Sequence, residues 1–295
     1  MSFYTIKDLE RLSSQKAHTI RIWEQRYALL TPERTDTNIR YYNDEQLKKL
    51  LNVCTLIDRG MKISHISKLS KPEIADEIEK VIAGTYQEDV QLEGIISQAL
   101  IAISTYDELL FNEMYSAAVG ILGLKNAYIK VIYPLLLRTG LLWTSDLLLP
   151  AQEHFLSNLI RQKFFSAIES IPLPSNSDQT WMLFLNQEED HEIGLLFASY
   201  LLRAHGKKVI YLGARVPYEN LAGVIQSSRP THLYTFFVRN QLENELDVLI
   251  HNLTTDFAGT TLCISGGDDK LVKTAKEKNV ITITTVESFL DIIKI

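Results

Sequence analysis

The sequence predicts a multidomain chain that is helical in its first half and of the α/β class at its C-terminal end. Between residues 73 and 172, apolar side chains recur at three- and four-residue spacing, which is typical of helices packed along one face. From residue 178 to 295, short apolar runs alternate with helical segments, as in parallel sheets covered by helices. A chain of 295 residues has room for two or three domains.

The composition is that of a soluble protein. Hydrophobic residues make up 46% of the chain and charged residues 22%. The longest apolar stretches fall far short of the ~20 residues that a membrane span needs, and the N-terminus carries no apolar signal segment. Cys54 and Cys263 lie in separate apolar runs, as reduced core cysteines do. We therefore expect a cytoplasmic protein with no membrane partner.

Charge is divided unevenly along the chain. Residues 1–70 carry 12 Lys and Arg against 8 Asp and Glu, a net charge of +4. The remaining residues carry 18 against 28, a net charge of −10, so the whole chain has a net charge of −6. A basic N-terminal segment on an acidic body indicates an anion-binding module attached to domains of another kind.

The basic segment, residues 1–72, predicts an all-α winged helix-turn-helix. Thr5–Asp8 has the form of a capping box that starts a short helix, and a second helix is expected from Gln15 to Arg26. Two short helices joined by a tight turn, the second with cationic and hydroxylic groups, are typical of DNA-binding modules. The turn within Arg34–Tyr42 suits a β-wing, and Asn43–Gln46 caps a third helix. The alternative is an amphipathic helix whose charged face is merely solvated.

Read together, the motifs T-x-R-x-W-E-x-R-Y, P-x-R and R-Y-Y closely resemble the N-terminal domain of MerR-family transcription regulators over about residues 3–70. The form Trp23-Glu24-Gln25-Arg26-Tyr27 is most similar to the subgroup whose effector is cobalamin. The resemblance implies a double-stranded DNA operator as partner, with the second helix in the major groove and the wing on backbone phosphates. The residues implied in DNA binding are Lys16, His18, Thr19, Arg21, Arg26, Arg34, Arg40 and Tyr41.

Other residues of this module have different expected roles. Trp23 and Ile22 are expected in the core rather than on DNA, and Glu24 is expected to position an arginine. The glycine usual in the family's wing is absent, and Asn38 lies nearby. The sequence therefore leaves the conformation of the wing open, although Asn tolerates positive φ better than most residues.

The middle region, residues 73–172, predicts an all-α antiparallel helical bundle. A boundary is expected near Lys71-Pro72, and a helix kink at Pro134. The expected helices are 74–83, 89–103, 106–122, 125–141 and 148–170.

The bundle also carries a motif, in which Trp143 precedes Glu153-His154 by ten residues. Taken alone, Trp143 could be a core plug and the other two could be surface residues. The pattern W-x9-E-H in front of an α/β domain is similar to the helical half of cobalamin-binding regulators. This resemblance implies that Trp143, Glu153 and His154 line the upper side of the ligand. Thr144 stands where light-sensing members have a second cobalt-binding histidine, and Thr is a poor cobalt ligand.

The C-terminal region, residues 178–295, predicts an α/β doubly wound, flavodoxin-like domain with a five-stranded parallel sheet. The expected strands are 181–185, 208–212, 232–238, 260–265 and 280–284, and the expected helices are 193–205, 217–227, 240–252, 269–278 and 286–293. Such sheets bind ligands beyond the carboxyl ends of the strands where strand order reverses, and the loop after the first strand would lie there.

His191 stands in that loop. An imidazole at this position can ligate a metal while a neighbouring carboxylate holds its other nitrogen, although most loop histidines are solvated and inert. The sequence Glu189-Asp190-His191-Glu192-Ile193-Gly194 resembles the D-x-H-x-x-G motif of cobalamin domains in which histidine replaces the cofactor's own base on cobalt. Here Glu replaces the Asp of the motif. The resemblance implies that His191 is the metal ligand and that Glu189, or Asp190, orients its second nitrogen.

Three further segments extend the resemblance. Leu212–Pro217 matches L-G-x-x-x-P, Thr235–Phe237 stands in place of S-x-L, and Gly266-Gly267 follows the fourth strand, although a Gly-Gly pair is also an ordinary strand-to-helix turn. Small residues would admit the nucleotide tail of the cofactor. Phe237 is larger than the usual aliphatic residue and would narrow that channel. The implied cofactor-binding residues are Trp143, Glu153, His154, Glu189, His191, Gly194, Thr235, Gly266 and Gly267.

These features predict a bacterial DNA-binding transcription regulator, a repressor, controlled by a corrinoid bound between the bundle and the α/β domain. The resemblance implies adenosylcobalamin, with its cobalt, as effector, and a homo-oligomer, either dimer or tetramer. No nucleophile–base pair is evident, so we expect no enzyme and no catalytic residue. One alternative, which Thr144 and Phe237 favour, is a MerR-like regulator that responds to another ligand or partner. The other is a corrinoid carrier protein.

Overall fold

The computed structural model describes residues 4–13, 15–34, 38, 40–83, 89–145, 147–237, 243–266, 275, 277–278 and 280–294. The chain divides into two compact units, Met1–Leu159 and Ile160–Ile295. The first unit holds the basic module and most of the bundle, and the second holds the α/β domain. The fold class expected from the sequence is confirmed.

The basic module begins with the helix-turn-helix, formed by α1 (Ile6–Ser13) and α2 (Ala17–Tyr27). The predicted capping box starts α1, because the Asp8 carboxylate accepts hydrogen bonds of 2.8 Å from both the backbone N–H and the hydroxyl of Thr5. Three short antiparallel strands complete the wing, in the order β1-β3-β2: β1 (Tyr4–Thr5), β2 (Glu33–Arg34) and β3 (Arg40–Tyr42). Strand β1 has only two residues, and the sequence did not predict it.

Three more helices follow the wing: α3 (Asp44–Asp58), α4 (Ile63–Ile66) and α5 (Lys71–Ala83). Asn43 and Gln46 form the expected reciprocal capping box at the start of α3, with both bonds at 3.0 Å. Pro72 lies in the first turn of α5, where its missing N–H costs no helical hydrogen bond.

The core of the basic module extends past its expected end at residue 72. Ile74 and Ile78 of α5 are buried in one cluster with Ile20, Trp23 and Leu50 of the preceding helices. Burying these apolar side chains stabilises the module, so α5 is part of it.

The bundle consists of α6 (Val90–Thr105), α7 (Glu108–Ala127), a π-helical turn (Tyr128–Ile132), α8 (Tyr133–Thr144) and α9 (Pro150–Glu169). By length and composition, the stretch Glu108–Thr144 could cross a membrane, with 22% of its most apolar part buried. It is not one regular helix, because Gly123 has φ +71° and ψ 158° and the π-helical turn directly precedes α8. Exposed apolar side chains on these helices include Ile101, Leu109, Ile121 and Leu137.

The second unit contains the expected five-stranded parallel sheet, in the order β5-β4-β6-β7-β8. Its strands are β4 (Thr180–Asn186), β5 (Lys208–Val216), β6 (His232–Phe237), β7 (Thr261–Gly266) and β8 (Ile281–Ile283). Its helices are α10 (Ile193–Ala204), α11 (Tyr218–Ser228), α12 (Glu243–Asp256) and α13 (Val286–Lys294). The expected helix 269–278 lies almost entirely outside the described residues.

The sheet is stabilised by its interior strand β4, in which the apolar run Trp181–Leu185 is buried on both faces. One face packs against α11 and α12 through Phe184, Leu221 and Ile250. Strand order reverses between β4 and β6, so the loop after β4 lies at the predicted switch point.

Candidate functional site

The second helix of the basic module presents the side chains that the sequence assigned to DNA. His18, Arg21 and Arg26 are exposed, and Thr19 is half-buried. Lys16 precedes the helix, and its ammonium lies 3.1 Å from the Glu10 carboxylate. A row of exposed cations on one short helix suits contact with a polyanion.

The core of this helix differs from the prediction in one residue. Trp23 is buried as expected, whereas Ile22 is 39% exposed, so its expected place in the core is wrong. Helix α2 has 3.6 residues per turn, and the positions that face inward are Ile20 and Trp23, three residues apart. Ile22 falls between them on the outer side.

Glu24 joins this helix to the wing. Its buried carboxylate accepts a hydrogen bond of 2.5 Å from the Tyr42 hydroxyl and lies 3.5 Å from Nε of Arg40. Burial and the Glu24 charge raise the pKa of Tyr42 above its usual range, so this hydroxyl stays protonated and donates. The expectation that Glu24 positions an arginine agrees with this geometry.

The turn of the wing contains a residue with a left-handed backbone conformation. Asn38 has φ +65°, the left-handed conformation for which glycine would be the usual residue. Its side-chain oxygen accepts a 2.7 Å hydrogen bond from Arg34, and the Tyr41 hydroxyl donates to Glu33 at 2.7 Å. Arg34 and Tyr41 therefore lie on the wing, with Arg40 between the wing and α2.

The end of α8 packs on the basic module. Trp143 contacts the buried cluster of that module, and its indole Nε1 is buried with no hydrogen-bond partner among the described residues. The Asn52 amide donates to the Thr144 carbonyl at 2.8 Å. Trp143 thus has the core-plug environment that was the alternative interpretation, with one unsatisfied donor.

Glu153 and His154 lie in the first turn of α9. His154 is 73% exposed, and its Nδ1 lies 2.8 Å from the Glu153 carboxylate. An exposed imidazole paired with its neighbour is available to a ligand, and it is also an ordinary surface arrangement.

The loop after β4 holds His191 in one orientation. The Glu189 carboxylate is 1% exposed, and one of its oxygens, Oε1, accepts the backbone N–H groups of Asp190 and His191 at 3.0 and 3.1 Å. The same oxygen lies 2.5 Å from Nδ1 of His191. Because an ionised carboxylate only accepts, the tautomer of the neutral ring that fits this contact has its proton on Nδ1 and its lone pair on Nε2.

This arrangement offers one nitrogen rather than a cage. Glu189, Asp190 and His191 bring ligand atoms within 4.8 Å of one another. However, Oε1 of Glu189 already accepts three N–H groups, and Asp190 accepts a 2.7 Å bond from Arg215. The imidazole is 42% exposed, and Nε2 has no hydrogen-bond partner in the described part of the chain. A single oriented nitrogen suits an axial position on a metal that is already coordinated by other atoms.

The residues expected around a nucleotide tail lie at the same edge of the sheet. Thr235 is fully buried, and its hydroxyl has no partner among the described residues. Gly266 has φ +76°, and a Cβ there would overlap the carbonyl oxygen of Phe237. A Cβ at Gly194 would lie 3.0 Å from the ring of Phe236. Gly267 lies outside the described residues.

Phe236, rather than Phe237, is the aromatic residue beside the His191 helix. Phe237 is buried in the cluster on the α11 and α12 face. Because side chains alternate along a strand, Phe236 points to the opposite face, where it meets Gly194 at the start of α10. Thr235, two residues before Phe237, points to the same face as Phe237, so the narrowing expected from Phe237 stays a prediction. Phe236 is a second aromatic ring, beside Gly194.

Sequence reasoning missed the residues of β5 that contact the loop. Arg215 pairs with Asp190, and Tyr211 donates to Glu192 at 2.9 Å. These partners are 19 and 25 residues apart, and no sequence pattern links them.

The fold and site define a class of protein: transcription regulators that join a winged helix-turn-helix to a helical bundle and an α/β domain. The model of the MerR HTH family regulatory protein matches residues 4–71. The chain is 33% identical to the HTH-type transcriptional repressor CarH of Myxococcus xanthus over 77% of this chain and 76% of that protein. It is 25% identical to the repressor CarA of the same organism, over 88% and 85%.

The chain therefore belongs to the MerR-type family of transcriptional regulators that includes CarH. Among solved structures, the monomethylamine corrinoid protein of Methanosarcina barkeri is similar in fold. Its TM-score is 0.53 at 13% identity, over 69% of this chain and 95% of that chain.

Proposed function

We propose that this regulator is a repressor whose DNA binding is controlled by a corrinoid, with adenosylcobalamin as the favoured form. The observation that carries the proposal is His191, whose Nε2 has no hydrogen-bond partner among the residues that the structure describes, while a buried carboxylate holds Nδ1. A bound corrinoid would supply a cobalt ion that accepts a nitrogen ligand from the protein. His191 would hold that ion through Nε2, and Glu189 would fix the imidazole ring and raise its basicity.

The other residues at this edge of the sheet fit the nucleotide tail of such a cofactor. Thr235 offers a buried hydroxyl for which the described part of the chain supplies no partner, and an unsatisfied buried polar group is costly unless a ligand pairs with it. Gly194 and Gly266 present no side chains there. Trp143, Glu153 and His154 would line the upper side of the ligand. The indole N–H of Trp143, which finds no acceptor among the described residues, would then have one in the ligand.

The partners of the chain follow from the same proposal. Operator DNA would meet α2 and the wing, and the protein would act in the bacterial cytoplasm without catalysing a reaction. Corrinoid binding would favour a dimer or tetramer, so that several DNA modules bind one operator and affinity rises steeply. Exposed apolar side chains of the bundle, such as Leu109 and Ile121, offer surface for that association.

Cofactor retention tests the proposal. Purified protein is incubated in the dark with adenosylcobalamin and passed through gel filtration, and the cobalt that elutes with the protein is measured. The wild type should retain about one cobalamin per chain, whereas His191→Ala should retain at least about tenfold less. His251→Ala is the matched control, because His251 is an exposed histidine on α12. Equal retention by wild type and His191→Ala would contradict the axial role.

A second candidate function is a regulator of the same family that responds to a different ligand or partner. The position of the Phe236 ring against Gly194 favours it, because that ring occupies space beside the start of α10. This candidate predicts no cobalamin retention by the wild type. The variant Phe236→Ala then separates two explanations. If the Phe236 ring blocks the channel, this variant should retain cobalamin; if the site does not bind a corrinoid, it should retain none.

A further inference from the structure

Strand β5, next to the strand that leads into the His191 loop, departs from regular geometry at its C-terminal end. Its pairing with β4 shifts register twice, after Leu183 and again before Asn186. Gly213 and Arg215 both have positive φ, +79° and +57°. For a residue with a side chain, the left-handed conformation costs free energy and persists only where surrounding contacts determine it.

Arg215 makes those contacts with the His191 loop. Its backbone N–H donates to the Glu189 carbonyl at 3.3 Å, and its guanidinium donates to the Asp190 carboxylate at 2.7 Å. Glu189 and Asp190 are the two residues that directly precede His191. Arg215 therefore holds the backbone at Glu189 and the side chain of Asp190, on the N-terminal side of His191.

Two other residues of β5 contact the residue that follows His191. The Tyr211 hydroxyl donates to the Glu192 carboxylate at 2.9 Å, and burial together with the Glu192 charge raises the pKa of Tyr211. A Cβ at Gly213 would lie 3.1 Å from the same carboxylate, so the absent side chain gives Glu192 room. Glu192 also lies 3.7 Å from Nε of Arg161.

We propose that Arg215 is a positioning residue for His191, a role that rests on the proposed corrinoid function. Together with Tyr211 and Gly213 it forms the β5 clamp, which holds the chain on both sides of the imidazole. The clamp fixes the direction of Nε2 before a ligand arrives. A donor that is already in place loses less conformational freedom on coordination, so binding is tighter.

The test replaces Arg215 with glycine, which removes the guanidinium and also relaxes the left-handed backbone, so the variant keeps its fold. Arg215→Gly should bind adenosylcobalamin about tenfold more weakly in the dark. The visible spectrum of the bound cofactor should also show a smaller imidazole-ligated fraction. Arg215→Lys, which can still pair with Asp190, should restore part of both.

Two further variants separate positioning from a general structural effect. Arg229→Ala is the control, because Arg229 is an exposed arginine with φ +46° at the end of α11. It should leave affinity and spectrum unchanged. Asp190→Asn should weaken binding at least as much as Arg215→Gly, because the Asp190 carboxylate lies 2.7 Å from the Arg215 guanidinium and also 3.7 Å from Nδ1 of His191. The double variant should bind no more weakly than Asp190→Asn alone, because the ion pair is already lost in that variant.

The outcomes separate this inference from the proposed function. If the wild type binds cobalamin and Arg215→Gly binds it with unchanged affinity and spectrum, the β5 clamp is refuted. If the wild type binds no cobalamin, the corrinoid proposal fails. Amide hydrogen exchange then tests whether the β5 clamp holds the His191 loop. Arg215→Gly should speed exchange at the amides of Asp190 and His191 in the free protein, and unchanged exchange would overturn the inference.

Discussion

The two candidate sites of this chain are built in opposite ways. On α2, His18 and Arg21 are exposed at the surface of a small module. In the α/β domain, His191 is held by a carboxylate that is 1% exposed and by a loop fixed from the neighbouring strand.

The difference follows from what each site is expected to bind. A phosphate backbone is an extended array of charge, and long cations can reach it from many orientations. A metal ion accepts a nitrogen only along one direction, so its ligand must be oriented in advance. Substitutions at the site in the α/β domain should therefore lower the stability of the fold or the affinity for the ligand by a large amount. Substitutions on the basic face should each lower DNA affinity by a smaller amount.

The largest effect is expected at Gly266. Gly266→Ala would place a methyl group on the Phe237 carbonyl at a φ of +76°, so the free energy of unfolding should fall by roughly 2–4 kcal/mol. Thermal or urea unfolding followed by circular dichroism measures it. Gly223→Ala in α11, where a Cβ meets nothing within 4 Å, should leave stability unchanged or raise it by up to ~1 kcal/mol. Equal changes in the free energy of unfolding for Gly266→Ala and Gly223→Ala would contradict the special role of Gly266.

A smaller effect is expected on the basic face. Arg21→Ala should weaken binding to a DNA duplex selected from a random pool by roughly 1–3 kcal/mol and relax the base preference, with no change in unfolding. Fluorescence anisotropy with selected and scrambled duplexes measures both. Arg59→Ala, which removes an exposed charge after α3, is the control. A loss of equal size on both duplexes would make Arg21 a phosphate contact rather than a base contact.

The smallest effect is expected at Arg40, which already lies beside the Glu24 carboxylate. If it contacts one phosphate, Arg40→Ala should weaken all sequences alike and reduce the slope of log affinity against log salt by about 0.9. Titrations at several salt concentrations measure the slope. An unchanged slope would leave Arg40 only as the partner of Glu24 and would take it off the phosphate surface.

Local sequence patterns predicted much of this architecture. The capping box at Asn43 and Gln46 and the five apolar strands depend on neighbouring residues in the chain, so they could be predicted. The positive φ of Asn38 was left open. The loop that carries His191 was predicted at the switch point because strand order follows from alternating βα units.

What the sequence did not predict depends on contacts between distant segments. Arg215 meets Asp190 only because β5 pairs with β4 out of regular register. Phe236 rather than Phe237 faces Gly194 because of the pleat of one strand. Trp143 packs on the basic module through tertiary packing alone, which a motif match to a ligand-facing tryptophan does not reveal.

We propose that a corrinoid held by His191 controls DNA binding by the basic module. The direct measurement is the affinity of the full chain for its selected DNA in the dark, with and without adenosylcobalamin, in wild type and in His191→Ala. We expect the cofactor to tighten DNA binding by the wild type at least about tenfold, by joining several modules on one duplex, and to leave His191→Ala unchanged. The proposal would be contradicted if adenosylcobalamin left the DNA affinity of the wild type unchanged. It would also be contradicted if the cofactor changed the DNA affinity of His191→Ala as much as that of the wild type.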